Sequence, residues 1–204
     1  MTTITKEEIG EITVSSRDFA RQNYKDFGAV ITIGDPGYSQ FVVPEDSGVK
    51  QLILEFDDAI SMRGNSKFVT FEHLEQAVEF ARAHRDVPLL VHCGAGERRS
   101  PATALAIIAD RLGAGREDDA VQYLFDTYKE IEPNTRVIEI ADHVLDRSGN
   151  LAYGYYLFKD KRAEEKEAER KKLRSRPSLV KSKKTLALSS KSLAKRGAFY
   201  FTSW

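Results

Sequence analysis

Short apolar runs typical of β-strands alternate with stretches of helical periodicity along most of this chain, and that alternation constrains the fold more than any other feature. The predicted strands cover residues 12–14, 28–33, 49–56 and 88–92. Helical spacing of apolar residues follows over 70–81, 100–112, 117–128 and 133–145. We therefore predict an α/β domain whose central, mostly parallel sheet of about four strands is flanked by helices.

The fourth predicted strand leads into a short loop and then a helix, within the segment VHCGAGERRSPATALAI at residues 91–107. A turn of this kind can point successive backbone N–H groups inward, and the start of the helix adds the positive end of its dipole. Glycines allow an anion to approach the backbone closely. The sequence therefore predicts a phosphate-binding loop formed by Gly94, Ala95, Gly96, Glu97 and Arg98.

The single cysteine of the chain, Cys93, stands at the entrance to this loop. The helix dipole and nearby arginines would stabilise its thiolate, which is the nucleophilic form of the side chain. Six positions later, Arg99 can fold back over the loop and bind two phosphoryl oxygens with its planar guanidinium. The alternative is that Cys93 is only a small apolar residue at the end of a core strand.

The same residues resemble the signature of the cysteine-dependent protein tyrosine and dual-specificity phosphatase superfamily, in which His-Cys is followed by five residues, Arg, and then Ser or Thr. Here the signature is His92-Cys93, then GAGER, then Arg99-Ser100. Arg98 offers a register one residue shorter, as in sulfurtransferases, but the serine after Arg99 and the inner glycine match only the longer register. We therefore choose Arg99.

The resemblance implies a phosphatase-like fold and a two-step reaction through a phosphocysteine, without a cofactor or a metal. It assigns to the Ser100 hydroxyl the stabilisation of Cys93 as the sulfur leaves. It gives His92 the role of ordering the loop and helping to keep the thiol ionised. Further similarity, from Glu132-Pro133-Asn134 to residue 151, is to a bacterial family of predicted tyrosine phosphatases; in that segment we expect Asp142 to lie on a solvated helix face.

Such a phosphatase also needs an acid that protonates the departing oxygen, and in the superfamily this is an aspartate on a loop upstream of the cysteine. Asp57 and Asp58 directly follow the predicted strand 49–56. The resemblance to dual-specificity enzymes, in which the acid follows a strand of the type seen in LILEFDD, favours Asp58 over Asp57. Either aspartate could instead cap a turn. Asp35, which precedes Pro36, is a weaker candidate that fits turn chemistry better.

The formal net charge of zero conceals a split between two parts of the chain. Residues 159–204 contain 15 of the 31 Lys and Arg but only 5 of the 31 Asp and Glu, so the remainder has 16 basic and 26 acidic residues. We predict a catalytic domain over 1–158 and a basic, disordered or partly helical tail over 159–204. The tail is expected to contact the acidic body, an anionic membrane or a nucleic acid.

Two function classes follow from these features. The first is a phosphomonoester hydrolase, by resemblance a protein tyrosine or dual-specificity phosphatase that acts on phosphorylated proteins or another phosphomonoester. The second is a binding module that holds phosphorylated partners without turnover. A sulfurtransferase is less consistent with the register, and an arsenate reductase normally needs a resolving cysteine. One cysteine and no membrane-length apolar run make the cytoplasm the expected location.

Overall fold

The computed structural model describes residues 4–61 and 64–175 of the chain. Within these residues, four parallel strands form one sheet in the order β1-β4-β2-β3. The strands are β1 (Ile12–Ser16), β2 (Ala29–Gly34), β3 (Lys50–Glu55) and β4 (Leu89–Cys93). Each falls where the sequence predicts a strand, and the predicted α/β fold with a parallel sheet between helices is confirmed.

The helices of the described residues connect and cover these strands. They are α1 (Lys6–Ile9), α2 (Arg17–Asn23), α3 (Phe71–Ala83), α4 (Arg99–Leu112), α5 (Glu117–Thr127), α6 (Thr135–Val144) and α7 (Asn150–Ser175), with short 3-10 turns at Tyr24–Asp26 and Glu45–Ser47. The Thr70 hydroxyl accepts a hydrogen bond from the backbone N–H of His73, so Thr70 is the N-cap of α3, at the start of the predicted helical segment 70–81.

The two faces of the sheet pack against different layers because successive side chains of a strand point to opposite sides. Ile31, Val91 and Cys93 belong to the larger core, to which α3, α4, α5 and α6 contribute. Val30 and Leu90 belong to a smaller core with α2 and the loop before β3. Cys93 stands two residues after Val91 on β4, so both side chains lie on the face of the sheet that carries α4.

Helix α4 is the most deeply buried helix of the domain. Every residue from Arg99 to Ala109 is buried, and the helix packs against α3, α5 and α6. Four alanines in this stretch allow the neighbouring helices and the sheet to approach closely. Because β4 and α4 are both enclosed, the loop between them joins two rigid elements.

The chain divides into two compact units, Met1–Asp160 and Lys161–Trp204. The predicted basic tail begins at residue 159, and its residues up to Ser175 lie in the last part of α7. Residues 176–204, including the Ser/Lys-rich stretch and the terminal aromatics, lie outside the described residues. Among the described helices, none is both long enough and apolar enough to cross a membrane.

The expectation that Asp142 lies on a solvated helix face is wrong. Its side chain is buried at the end of α6, and its carboxylate accepts hydrogen bonds from the backbone N–H groups of Gly149, Leu151 and Ala152 at 2.6, 2.8 and 3.1 Å. These N–H groups stand at the start of α7, where the helix itself supplies no acceptors. Asp142 thus joins α6 to α7 as a long-range N-terminal cap.

We predict that Asp142→Asn lowers the free energy of unfolding by about 2 kcal/mol, because it removes one charged acceptor from buried donors at a helix start. Urea unfolding followed by circular dichroism measures this loss. The matched control is Asp46→Asn, since Asp46 is exposed, and its change should stay within about 0.5 kcal/mol. Equal effects for the two variants would contradict the capping role.

Candidate active site

The loop between Cys93 and Arg99 is anchored to the end of the neighbouring strand β1. Gly96 has φ +84°, and a Cβ atom at this position would lie 2.6 Å from the backbone carbon of Ser15 and 2.7 Å from the nitrogen of Ser16. The N–H of Arg17 donates to the carbonyl of Gly94 at 3.1 Å. Only glycine fits this contact, so Gly96 determines how closely the loop packs against β1.

Cys93 lies at the base of this loop, and its sulfur receives two hydrogen bonds. The backbone N–H of Gly96 lies 3.3 Å from Sγ, and the Ser100 hydroxyl lies 3.2 Å from it. The side chain is 3% exposed, and the amino end of α4 adds its positive dipole end nearby. Two hydrogen-bond donors and the start of a helix therefore surround the sulfur.

Arg99 is the arginine whose guanidinium lies beside the loop. A Cβ atom on Gly94 would lie 3.9 Å from Arg99 Nη2. Nη1 donates to the carbonyl of Phe56 at 2.8 Å, and Nη2 forms an ion pair with Asp35 at 2.9 Å. Nε is buried, and the described residues give it no hydrogen-bond partner. A buried donor of this kind is suited to an oxyanion.

Arg98 points elsewhere, which distinguishes the two possible registers of the loop. Its Nε lies 2.9 Å from Asp58 Oδ2, and its Nη1 lies 3.7 Å from a carboxylate oxygen of Glu132. The Arg98 side chain is 37% exposed, compared with 7% for Arg99. The buried arginine beside the cysteine loop is therefore the one that the longer register predicts.

The two neighbouring aspartates after β3 have different surroundings. Asp57 closes its own loop, because its N–H donates to the carbonyl of Lys67 at 2.8 Å and its Oδ2 accepts from the N–H of Lys67 at 2.7 Å. Asp58 contacts the loop between Cys93 and Arg99 through Arg98 and also accepts a hydrogen bond from Asn134 Nδ2 at 2.6 Å. The structure thus brings Asp58, and not Asp57, to the loop.

Asp35 is more than a turn residue. It directly follows β2. Its Oδ1 forms an ion pair with Arg99, and its Oδ2 lies 3.7 Å from Arg17 Nη2. The sequence indicates Asp35 only as a weaker candidate acid or a turn residue and does not predict this pairing. The residue follows a parallel strand at the same sheet edge as Cys93, which is the signal that it could reach the site.

His92 faces the smaller core, on the opposite side of β4 from Cys93. Its Nε2 lies 2.9 Å from the hydroxyl of Thr32, which in turn accepts from Gln51 Nε2 at 2.7 Å. When the Thr32 hydroxyl donates to Nε2, the ring proton is on Nδ1, which lies 3.5 Å from the carbonyl of Cys93. Three strands thus contribute to holding the peptide that carries the cysteine.

The pKa of His92 is lowered to about 4, mainly by burial; the hydrogen bond with the Cys93 carbonyl raises it, and the charges of Arg17 and Arg21 contribute to the lowering. The imidazole is therefore neutral near neutral pH. It contacts Thr32 and the carbonyl of Cys93 at the end of β4 and brings no positive charge to the sulfur.

The described residues contain no cluster of three or more His, Cys, Asp or Glu side chains that could hold a metal ion.

No protein-family model and no curated protein matches this sequence. Similarity is found instead among solved structures. PTPMT1 in complex with PI(5)P superposes with a TM-score of 0.50 at 20% identity, covering 67% of this chain and 90% of that one. Tk-PTP in the active form gives a TM-score of 0.52 at 17% identity, covering 72% of this chain and 99% of that one. The chain has the fold of these phosphatases.

We predict that Gly96→Ala lowers the free energy of unfolding by about 2 kcal/mol more than Gly113→Ala does, because a buried overlap adds to the cost of positive φ. Gly113 has the same φ of +84° but no atom within 4 Å of the added Cβ. Chemical unfolding of both variants isolates the contact with β1. Equal losses would show that the overlap has no energetic consequence.

We predict that His92 makes the stability of the fold depend on pH. Because the folded pKa of His92 lies below its ordinary value of 6.5, the unfolded chain binds the proton first, and stability falls as the pH drops from about 6.5 to about 4. The expected loss from this residue is about 3 kcal/mol. In urea unfolding over that range, His92→Gln should show a shallower pH dependence than wild type. Parallel curves would contradict a neutral, buried His92.

Proposed function

We propose that this protein is a phosphomonoester hydrolase of the protein tyrosine or dual-specificity phosphatase type, which acts through a phosphocysteine on Cys93. The observation that carries the proposal is the arrangement around one sulfur atom. Gly96 N–H and Ser100 Oγ–H both donate to it at the amino end of α4, and Arg99 lies beside the same loop. The phosphatase fold of the two neighbours described above supports this proposal.

In the first step, the Cys93 thiolate attacks phosphorus as the bond from phosphorus to the leaving oxygen breaks. The proton of the Asp58 carboxyl passes to that oxygen, so that an alcohol or phenol departs. The loop N–H groups and the Arg99 guanidinium stabilise the charge on the three remaining phosphoryl oxygens. The contacts of Arg99 with Asp35 and Phe56 fix the guanidinium before substrate arrives.

In the second step, water attacks phosphorus and the Asp58 carboxylate takes a proton from it. The sulfur–phosphorus bond breaks, its electron pair returns to Cys93, and inorganic phosphate is released. The Ser100 hydroxyl, 3.2 Å from Sγ, donates to the sulfur as its negative charge reappears. Each step uses groups of this chain alone, with no cofactor.

For the substrate class, we propose phosphorylated proteins, with phosphotyrosine as the first choice. The rim of the site carries Arg17 and Arg98 beside Asp35 and Asp58, so it presents both charges and does not select a strongly anionic substrate by charge alone. A panel of phosphotyrosine, phosphoserine and phosphothreonine peptides tests the preference. PI(5)P belongs in the panel because PTPMT1 is bound to it in the solved structure.

We predict that wild type hydrolyses a small aryl phosphate between mildly acidic and neutral pH and that Cys93→Ser abolishes this turnover. Asp58→Ala should lower kcat by about 10²- to 10³-fold because the leaving oxygen then departs unprotonated. The control is Asp57→Ala, which removes a loop contact next to the acid and should cause a much smaller loss. Release of inorganic phosphate measures all four proteins.

The outcomes separate the two function classes. Turnover that survives Cys93→Ser would contradict the phosphocysteine mechanism. Absence of turnover in wild type, together with stoichiometric binding of phosphate or vanadate, would replace the hydrolase with a phosphate-binding module. If Asp57→Ala lost more activity than Asp58→Ala, the assignment of the acid would be reversed.

A further inference from the structure

Asn134 is a buried side chain that connects three parts of the candidate site. It is 1% exposed and stands immediately before α6. Its Oδ1 accepts hydrogen bonds from the N–H groups of Arg136 and Val137 at 3.0 and 3.2 Å, which makes it the N-cap of that helix. Its Nδ2 donates to Asp58 Oδ1 at 2.6 Å.

The backbone on which Asn134 stands is bound to the phosphate loop. The N–H of Glu132 donates to the carbonyl of Glu97 at 2.9 Å, and the N–H of Asn134 donates to the carbonyl of Arg98 at 3.0 Å. Residues 132–134 therefore run beside the second half of the loop. The distance from the Asn134 amide to the loop is fixed by main-chain hydrogen bonds and does not depend on a flexible side chain.

The orientation of the amide follows from its partners. Two backbone N–H groups require an acceptor, so the oxygen of Asn134 must face α6 and the NH₂ group must face Asp58. In the opposite orientation, the NH₂ group of Asn134 would face the N–H groups of Arg136 and Val137, and its oxygen would face the Asp58 carboxylate. Neither contact could then be a hydrogen bond. The helix cap thus decides that Asp58 meets a donor.

We propose that Asn134 is a positioning residue for the general acid, an inference that rests on the proposed function. Its amide keeps Asp58 Oδ1 as an acceptor, so that Oδ2 is the oxygen that delivers the proton to the leaving group and later takes one from water. Because an NH₂ group donates only, a proton on Oδ1 would oppose the donor that faces it.

Arg98 explains how Oδ2 becomes available. It contacts Oδ2 at 2.9 Å, but its side chain is 37% exposed, and ion pairs at this exposure contribute little to stability. Arg98 can therefore move into solvent when a leaving oxygen takes its place. Asn134 has no such freedom, because its side chain is enclosed and its oxygen is committed to α6. The contact of Asp58 with Arg98 is therefore replaceable, whereas its contact with Asn134 is fixed.

The test uses Asn134→Ser, which retains a capping hydroxyl for α6 and removes only the amide donor. We expect kcat/KM for phenyl phosphate, which has a basic leaving group, to fall about 10- to 100-fold, since misplacement of a reacting group by about 1 Å costs that much. For 2,4-dinitrophenyl phosphate, whose leaving group needs no acid, kcat/KM should fall about 2-fold. The ratio kcat/KM is compared because it reports the steps up to departure of the leaving group and not the later hydrolysis of the phosphocysteine, in which Asp58 acts as a base for both substrates.

A double substitution shows whether the effect passes through the acid. In the Asp58→Ala background, Asn134→Ser should cause no further loss on phenyl phosphate, because there is then no acid to position. The matched control is Asn23→Ser, which removes an amide that donates to the carbonyl of Phe19 at 2.8 Å on α2, away from the acid. It should leave both substrates unaffected.

Asn134→Asp serves as a second variant should the serine variant not fold. It retains the capping oxygen and replaces the donor by an acceptor, so it should give a similar loss with the same dependence on the leaving group. Equal losses on both substrates, a loss that adds to that of Asp58→Ala, or wild-type kinetics would each overturn the positioning role. Absence of Cys93-dependent turnover in wild type would instead overturn the proposed function, and this inference with it.

Discussion

The contact between Gly96 and the backbone of Ser15 and Ser16 is the constraint on which the candidate site depends. It holds the five residues that join β4 to α4 against the end of β1, and it leaves no room for a side chain. Because the strand and the helix are both buried, the ends of the loop are fixed as well. The donors around the sulfur are therefore arranged before any anion binds, which is the condition under which fixed dipoles stabilise developing charge.

Around this loop, two aspartates from the ends of neighbouring strands each bind one of the two adjacent arginines Arg98 and Arg99, with different consequences. Asp35, after β2, fixes the buried Arg99 beside the loop, whereas Asp58, after β3, binds the exposed Arg98. The buried pair of Asp35 and Arg99 is suited to keeping the guanidinium in one place, as the proposed binding of phosphate requires. In the exposed pair, Arg98 can leave Asp58, as the proposed transfer of a proton from Asp58 requires. Parallel strand topology places both carboxylates at the same edge as Cys93.

The sequence predicted much of this arrangement because local patterns determine it. Strand periodicity, the turn glycine and the spacing from Cys93 to Arg99 are all contained within short segments. Asn134 shows what sequence could not supply: its place before a helix is a recognisable capping signal, but its bond to Asp58 joins residues 76 positions apart. The prediction that Asp142 is solvated was wrong for the same reason. An acidic residue in a helical pattern is typical of a solvated face, and only the packing of the start of α7 against α6 buries this one. The partners of His92 on β2 and β3 likewise depend on strand order.

The proposed function requires that the Cys93 sulfur become covalently bonded to phosphorus during turnover. Rapid acid quenching of wild type with an aryl phosphate that carries a good leaving group, followed by mass spectrometry of the peptide that contains Cys93, tests this most directly. We expect a phosphorylated thiol on Cys93 that appears before the steady state and decays when substrate is exhausted. Turnover with no modification of that peptide, or with phosphate on another side chain, would contradict it.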